Sequence, residues 1–212
     1  MMKKEDIKFG WTPSKLDGTE YQFDEIKNYD IPEEYSYINY LPEVENQGST
    51  NMCVTYSLAA HLDWNCNVDN KQDNKRNNNI NKKEIYAIRK TPGDNGMTFK
   101  EALSFIKKTG VNSDLGKLKI ESYMMVSSLL GLKQALLLNG PCIAGVYIKD
   151  FNRRDFWNGQ KNYGGHAISI VGYTKTGFII RNSWGKSYGQ NGYAILKYSD
   201  FDKILECWTI VD

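Results

Sequence analysis

Cysteine attacks carbonyls as its thiolate, so a functional reading starts by asking which cysteine sits where a thiolate is favoured. The chain has four: Cys53, Cys66, Cys142 and Cys207. Cys142 and Cys207 open the apolar runs CIAGVYI and CWTIV, where a thiol packs as a small hydrophobe. Cys53 differs. Val54, Leu58 and Leu62 follow at fourfold spacing with Ala59 beside them, the pattern of a helix with one buried face. That places Cys53 in the first turn, at the positive end of the helix dipole, where ionisation to the thiolate is favoured. Position alone leaves a structural role open.

A nucleophilic thiol needs a base within hydrogen-bond reach, and the chain offers two histidines, His61 and His166. His61 lies on the same helix as Cys53, and eight residues at about 1.5 Å each put it roughly 12 Å away. It reads as a surface or packing histidine. His166 follows two glycines in YGGHAISI, at the start of an apolar strand, and the glycines allow close approach to the imidazole. Asn182, at the end of the next strand in IIRNSWG, supplies a carbonyl that can accept the histidine N–H and fix its tautomer. Two adjacent antiparallel strands would bring these side chains together.

The elements that must hold these residues divide along the chain. Thr98 and Glu101 form a capping box ahead of a helix whose face is Phe99, Ala102, Leu103 and Ile106, ended by Gly110. Another helix runs from about Ser128 to Asn139 and stops at Gly140-Pro141. Strand texture then covers Cys142 to Ile148, Ala167 to Tyr173, Phe178 to Arg181, Tyr193 to Tyr198 and Trp208 to Val211. The polar stretch from Val68 to Lys83 reads as an exposed loop. Helices preceding strands predict an α+β fold, a helical half packed on a β half with a site in the cleft between them.

Taken together, QGS at Gln47 to Ser49, GHA at Gly165 to Ala167 and NSWGKSYGQNGYAILKY at Asn182 to Tyr198 resemble the papain family of cysteine peptidases, over about Ile31 to the C-terminus. The resemblance implies a helical half at about 40–115 and a β-barrel-like half at about 116–212. It implies Cys53 as nucleophile, His166 as general base and then acid, Asn182 as its orienting group and Gln47 as an oxyanion-hole donor. Trp184 would shield the His166–Asn182 bond. Gly96, in PGDNGM, would pair with an extended peptide, and Met97 with Gly164 and Gly165 would shape an open, apolar pocket for the residue second from the cut. Two departures stand out: the local motif around the nucleophile reads TNMCV, without the usual upstream cysteine, and the Cys53–His166 interval is shorter than the roughly 130–150 residues typical of the family. Trimmed loops would explain the second. The implied reaction is peptide hydrolysis on peptide or protein substrates with no cofactor and no metal; the alternatives are a silent peptide-binding module or a related acyl-transferring or deubiquitinating enzyme.

Residues 1–30 mix charge, glycine, proline and aromatics, including FGWTP at Phe9 to Pro13. They are expected to lie across or beside the cleft as a pro-segment. A chain of 212 residues, 41% hydrophobic, can bury a core, and a net charge of +2 calls for neither nucleic acid nor an anionic membrane. No apolar run approaches the roughly 20 residues of a bilayer span. Widely spaced cysteines, no secretory signal and no Asn-x-Ser/Thr triplet point to a reducing, intracellular setting, with packaging in a virion also compatible.

Overall fold

The structure is a computed structural model that describes residues 7–69, 76–90, 93–149 and 163–212. The first six residues of the N-terminal extension, residues 70–75 of the polar stretch and Pro92 lie outside them.

Helix α1 (Cys53–Asp69) is central and buried on nearly every side, because it packs against both the sheet and the next two helices. The single buried face expected from its spacing is therefore too narrow a description. Helix α2 (Lys82–Ala87) is capped by the Asn81 side chain. Helix α3 (Phe99–Lys108) carries the full capping box at Thr98 and Glu101 and buries the four residues its periodicity marks. Gly110 follows at φ 80°, a left-handed conformation that glycine takes without strain. The polar stretch is not simply an exposed loop. Asn78 and Ile80 are buried, and Asn78 donates from its backbone and side chain to the buried carboxylate of Asp63.

Strands β1 (Tyr35–Ser36), β2 (Val111–Ser113), β3 (Gly116–Leu118) and β4 (Ser122–Met125) precede helix α4 (Leu129–Asn139), which Ser128 caps. Then come β5 (Cys142–Ile148), β6 (Gly164–Tyr173), β7 (Gly177–Arg181), β8 (Tyr193–Lys197) and β9 (Glu206–Val211). Helices and strands are thus interleaved more than the sequence pattern suggested. The main antiparallel sheet runs β4-β9-β5-β6-β7-β8, with β1 added to β6. It is open among the described residues. The outer edge of β4 pairs with the N-terminal extension (Phe23 N–H to Met125 O, 2.8 Å; Met125 N–H to Tyr21 O, 2.8 Å) rather than with β8, so no barrel closes there.

One core joins α1 and α3 to the inner face of the sheet through Leu58, Phe99, Ile106, Ile143 and Trp208. A second lies between α4 and strands β5 to β7, built on Leu132, Leu136, Ile168 and Phe178. The extension is tied to this second layer. Gln134 on α4 accepts the Ile26 N–H and donates to the Ile26 carbonyl, both at 2.9 Å.

Candidate active site

Cys53 is the first residue of α1 and is wholly buried. Burial pushes its thiol up to about 11, while backbone N–H groups of Ala167, Gly10, Val54 and Cys53 itself face the sulfur and pull the other way. Ala167 follows His166 on β6, so the N–H that faces the sulfur comes from the residue next to the imidazole. Burial also holds the His166 imidazole down to about 4, against the hydrogen bond with Asn182 that favours its charged form. Burial thus disfavours the charged form of both groups.

The orientation of His166 can be deduced from its neighbours. Asn182 Oδ1 accepts the backbone N–H of Ser183 at 2.8 Å, which identifies it as the carbonyl oxygen. It lies 2.8 Å from His166 Nε2, so Nε2 carries the proton and Nδ1 keeps its lone pair. Nδ1 has no hydrogen-bond partner among the described residues. Trp184 stacks on the imidazole with ring centroids 4.6 Å apart and planes 30° apart, and is itself buried. These four groups lie together because β6 and β7 are antiparallel neighbours, with Ser169 opposite Arg181, and Asn182 follows at the strand end.

Gln47 is buried and held from both sides. Its Oε1 accepts the Ser183 hydroxyl at 2.5 Å, its backbone N–H donates to the Ser183 carbonyl at 2.8 Å, and its Nε2 donates to Thr50 O at 2.7 Å. The remaining Nε2 proton goes to the carbonyl of Lys8 at 3.2 Å, which belongs to the N-terminal extension. Sequence reasoning passed over Ser183, although it lies inside the NSWG motif; only the structure shows its hydroxyl turned toward Gln47.

The extension threads the cleft. Phe9 meets His166 and Trp184 edge to face at 6.2 and 6.4 Å, Gly10 directs its N–H at the Cys53 sulfur, and Trp11 is buried. Trp11 N–H donates to Gly165 O at 3.0 Å, Met97 N–H to Gly10 O at 2.9 Å and Thr12 N–H to Met97 O at 3.1 Å. Met97, next to Gly96, thus stands in parallel register with Trp11 of the extension. Gly96 serves by its missing side chain: at φ 85°, a Cβ there would stand 2.1 Å from Gly10 O. Gly164 faces the Phe9 ring and Gly165 the carbonyl of Trp11, at 2.9 and 2.1 Å from where their Cβ atoms would be.

His61, by contrast, is fully buried at a distance from this cluster and packs between Pro141 O (2.8 Å from Nδ1) and Asp212 Oδ2 (2.6 Å from Nε2). Among the described residues no three His, Cys, Asp or Glu side chains group as a metal site, and no helix is long and apolar enough to cross a membrane.

A profile of papain family cysteine proteases matches residues 116–206. An uncharacterised peptidase C1-like protein of Acanthamoeba polyphaga mimivirus is 34% identical over 79 residues, 32% of this chain and 25% of its own length. The cathepsin B-like CP2 of Giardia intestinalis is 26% identical over 210 residues, 79% of this chain and 67% of its own. The matches to the mimivirus protein and to human cathepsin O span a quarter or less of those proteins. Among solved structures, xylellain, a cysteine protease from Xylella fastidiosa, superposes with a TM-score of 0.83 at 21% identity, covering 100% of this chain and 98% of its own. Residues 116–206 thus resemble the papain family in sequence, and the chain shares the fold of xylellain.

Proposed function

We propose that this chain is a cysteine peptidase that hydrolyses peptide bonds through a thioester at Cys53 and is restrained by its own N-terminal segment. The observation that carries the reading is the chain of bonds Ser183 N–H to Asn182 Oδ1 to His166 Nε2, which leaves Nδ1 as a lone-pair base beside the residue whose N–H faces the sulfur. In the reaction the thiol proton passes to His166 Nδ1 as sulfur adds to the substrate carbonyl. The carbonyl oxygen becomes an anion that accepts from Gln47 Nε2–H and the Cys53 backbone N–H. Collapse of this intermediate breaks the C–N bond and the leaving amine takes the proton from His166. Water, deprotonated by His166, then attacks the thioester, releasing a carboxylic acid and restoring the thiol.

The segment blocks this sequence at two points. Lys8 O occupies the Gln47 donor, and the Gly10 N–H faces the Cys53 sulfur, so the segment covers both groups. The four free cysteines fit a protein working in a reducing compartment. A peptide-library digest tests the proposal: cleavage by the chain, abolished in Cys53→Ser and in His166→Ala, is expected. Cleavage that survives Cys53→Ser would overturn it, as would an inert chain that stays inert once the segment is displaced by Gly10→Ala.

A further inference from the structure

The slot through which the segment passes Cys53 is one backbone thick at Gly10. A Cβ on Gly10 would stand 1.8 Å from Asn51 O, and a Cβ on Gly96 would stand 2.1 Å from Gly10 O. Met97 N–H donates to that same Gly10 oxygen at 2.9 Å. One wall is therefore the loop that leads into α1, and the other is the stretch from Gly93 to Met97. A single side chain joins them. Asn51, buried two residues before Cys53, donates from Nδ2 to the carbonyl of Asp94. The second wall is braced in turn by Tyr86 of α2 and by Arg89. Tyr86 donates its hydroxyl to Asp94 Oδ1 at 2.5 Å, and the Gly96 N–H faces the same hydroxyl. Arg89 Nε donates to Gly93 O at 3.2 Å, with its guanidinium 4.4 Å from the centre of the Tyr86 ring.

We infer that Asn51 is a positioning residue for substrate, whose amide fixes the width of the slot by tying the nucleophile's loop to the loop that pairs with an extended backbone. The inference rests on the peptidase reading above. A peptide that takes the segment's place needs both walls at once, one carrying Cys53 and the other offering the Met97 N–H. The Asn51 amide donates to Asp94 rather than to Gln47 or His166, so its loss should weaken the hold on substrate and spare the turnover of what is bound. A side chain that merely stabilised the loop before α1 would lower stability and leave KM where it is.

The test uses the full chain carrying Gly10→Ala, which lifts the segment, and a peptide substrate drawn from the library digest. Asn51→Ala should raise KM about fivefold, the weight of one neutral hydrogen bond, with kcat steady. Asn51→Asp keeps the shape but turns an acceptor toward the Asp94 carbonyl, and KM should rise by roughly tenfold or more. A second arm needs no substrate. With Gly10 unaltered, Asn51→Ala loosens the seat of the segment itself, and iodoacetamide should label Cys53 about fivefold faster. The buried Cys142 and Cys207 staying unlabelled reports an intact fold in each variant. KM unmoved in both substitutions, kcat falling while KM holds, or an unchanged labelling rate would each overturn the inference and leave the peptidase reading standing. If the Gly10→Ala chain with Asn51 intact cleaves no peptide, the peptidase reading falls and this inference with it.

Discussion

Gly10→Ala adds one carbon at the point where the segment passes Cys53. The new Cβ would stand 1.8 Å from Asn51 O and 2.4 Å from Asn51 C, backbone atoms of the loop that leads into α1, and neither can move aside cheaply. The segment must therefore lift locally. Three hydrogen bonds hold it at this point: Gln47 to Lys8 O, Met97 to Gly10 O and Trp11 to Gly165 O. At about 1 kcal/mol net each, losing them favours the lifted state by roughly 3 kcal/mol, or about a hundredfold in its population. Alkylation of Cys53 by iodoacetamide at pH 7.5, followed by mass spectrometry, reads that population directly. The rate in Gly10→Ala should exceed the unaltered chain's by about two orders of magnitude, while the buried Cys142 and Cys207 stay unlabelled. An unchanged rate in a folded variant would refute the placement of Gly10 over the sulfur.

Two further outcomes follow from the same contacts. In a Gly10→Ala background, Ser183→Ala removes the hydroxyl that fixes the Gln47 amide, and kcat for a peptide substrate should fall about tenfold with KM steady; the ceiling is the roughly 10² to 10³ lost when an oxyanion donor is removed outright. An unaltered kcat would mean that Thr50 alone orients Gln47. The pH dependence of stability offers the other. Burial raises the Asp63 carboxyl to about 6, so the folded state holds a proton the unfolded state has lost, and this group makes stability fall as pH rises from about 4 to 6. His166, held down to about 4, does the reverse: its contribution is complete above 6.5 and is lost as pH falls through that window. The two nearly cancel, each on the order of 3 kcal/mol. Urea unfolding of Asp63→Asn should therefore show stability climbing between pH 4.5 and 6.5 where the unaltered chain is flat; equal slopes would contradict the assignment.

The features legible in the sequence were those with a strong local rule behind them. The Thr98–Glu101 box located the start of α3 to the residue, and the Cys142–Ile148 strand needed only its unbroken apolar run. The interleaving of helices and strands was not legible, because β2, β3 and β4 are only three or four residues long and exist through pairing with β9 or with each other. Helix α2 was hidden likewise, six residues beside an asparagine-rich stretch whose buried members, Asn78 and Ile80, look like any polar loop in one dimension. For the site, the spacing of Gln47, His166 and Asn182 around Cys53 carried the reading. The sequence could not show that Gly10 and Trp11 rest on these residues, because long-range contact between an irregular segment and a cleft leaves no periodic trace.

The pairing of Tyr21 and Phe23 with Met125 has a consequence for behaviour in solution. Strand β4 terminates the main sheet, and a terminal strand with unmet N–H and C=O groups is a template onto which another chain can add. Here the Met125 groups are already taken, by the same extension that packs against His166 and Trp184. Removal of that extension would do two things at once, uncovering Cys53 and laying bare a sticky sheet margin, so a chain cut after it would carry a colloidal liability that the intact chain does not.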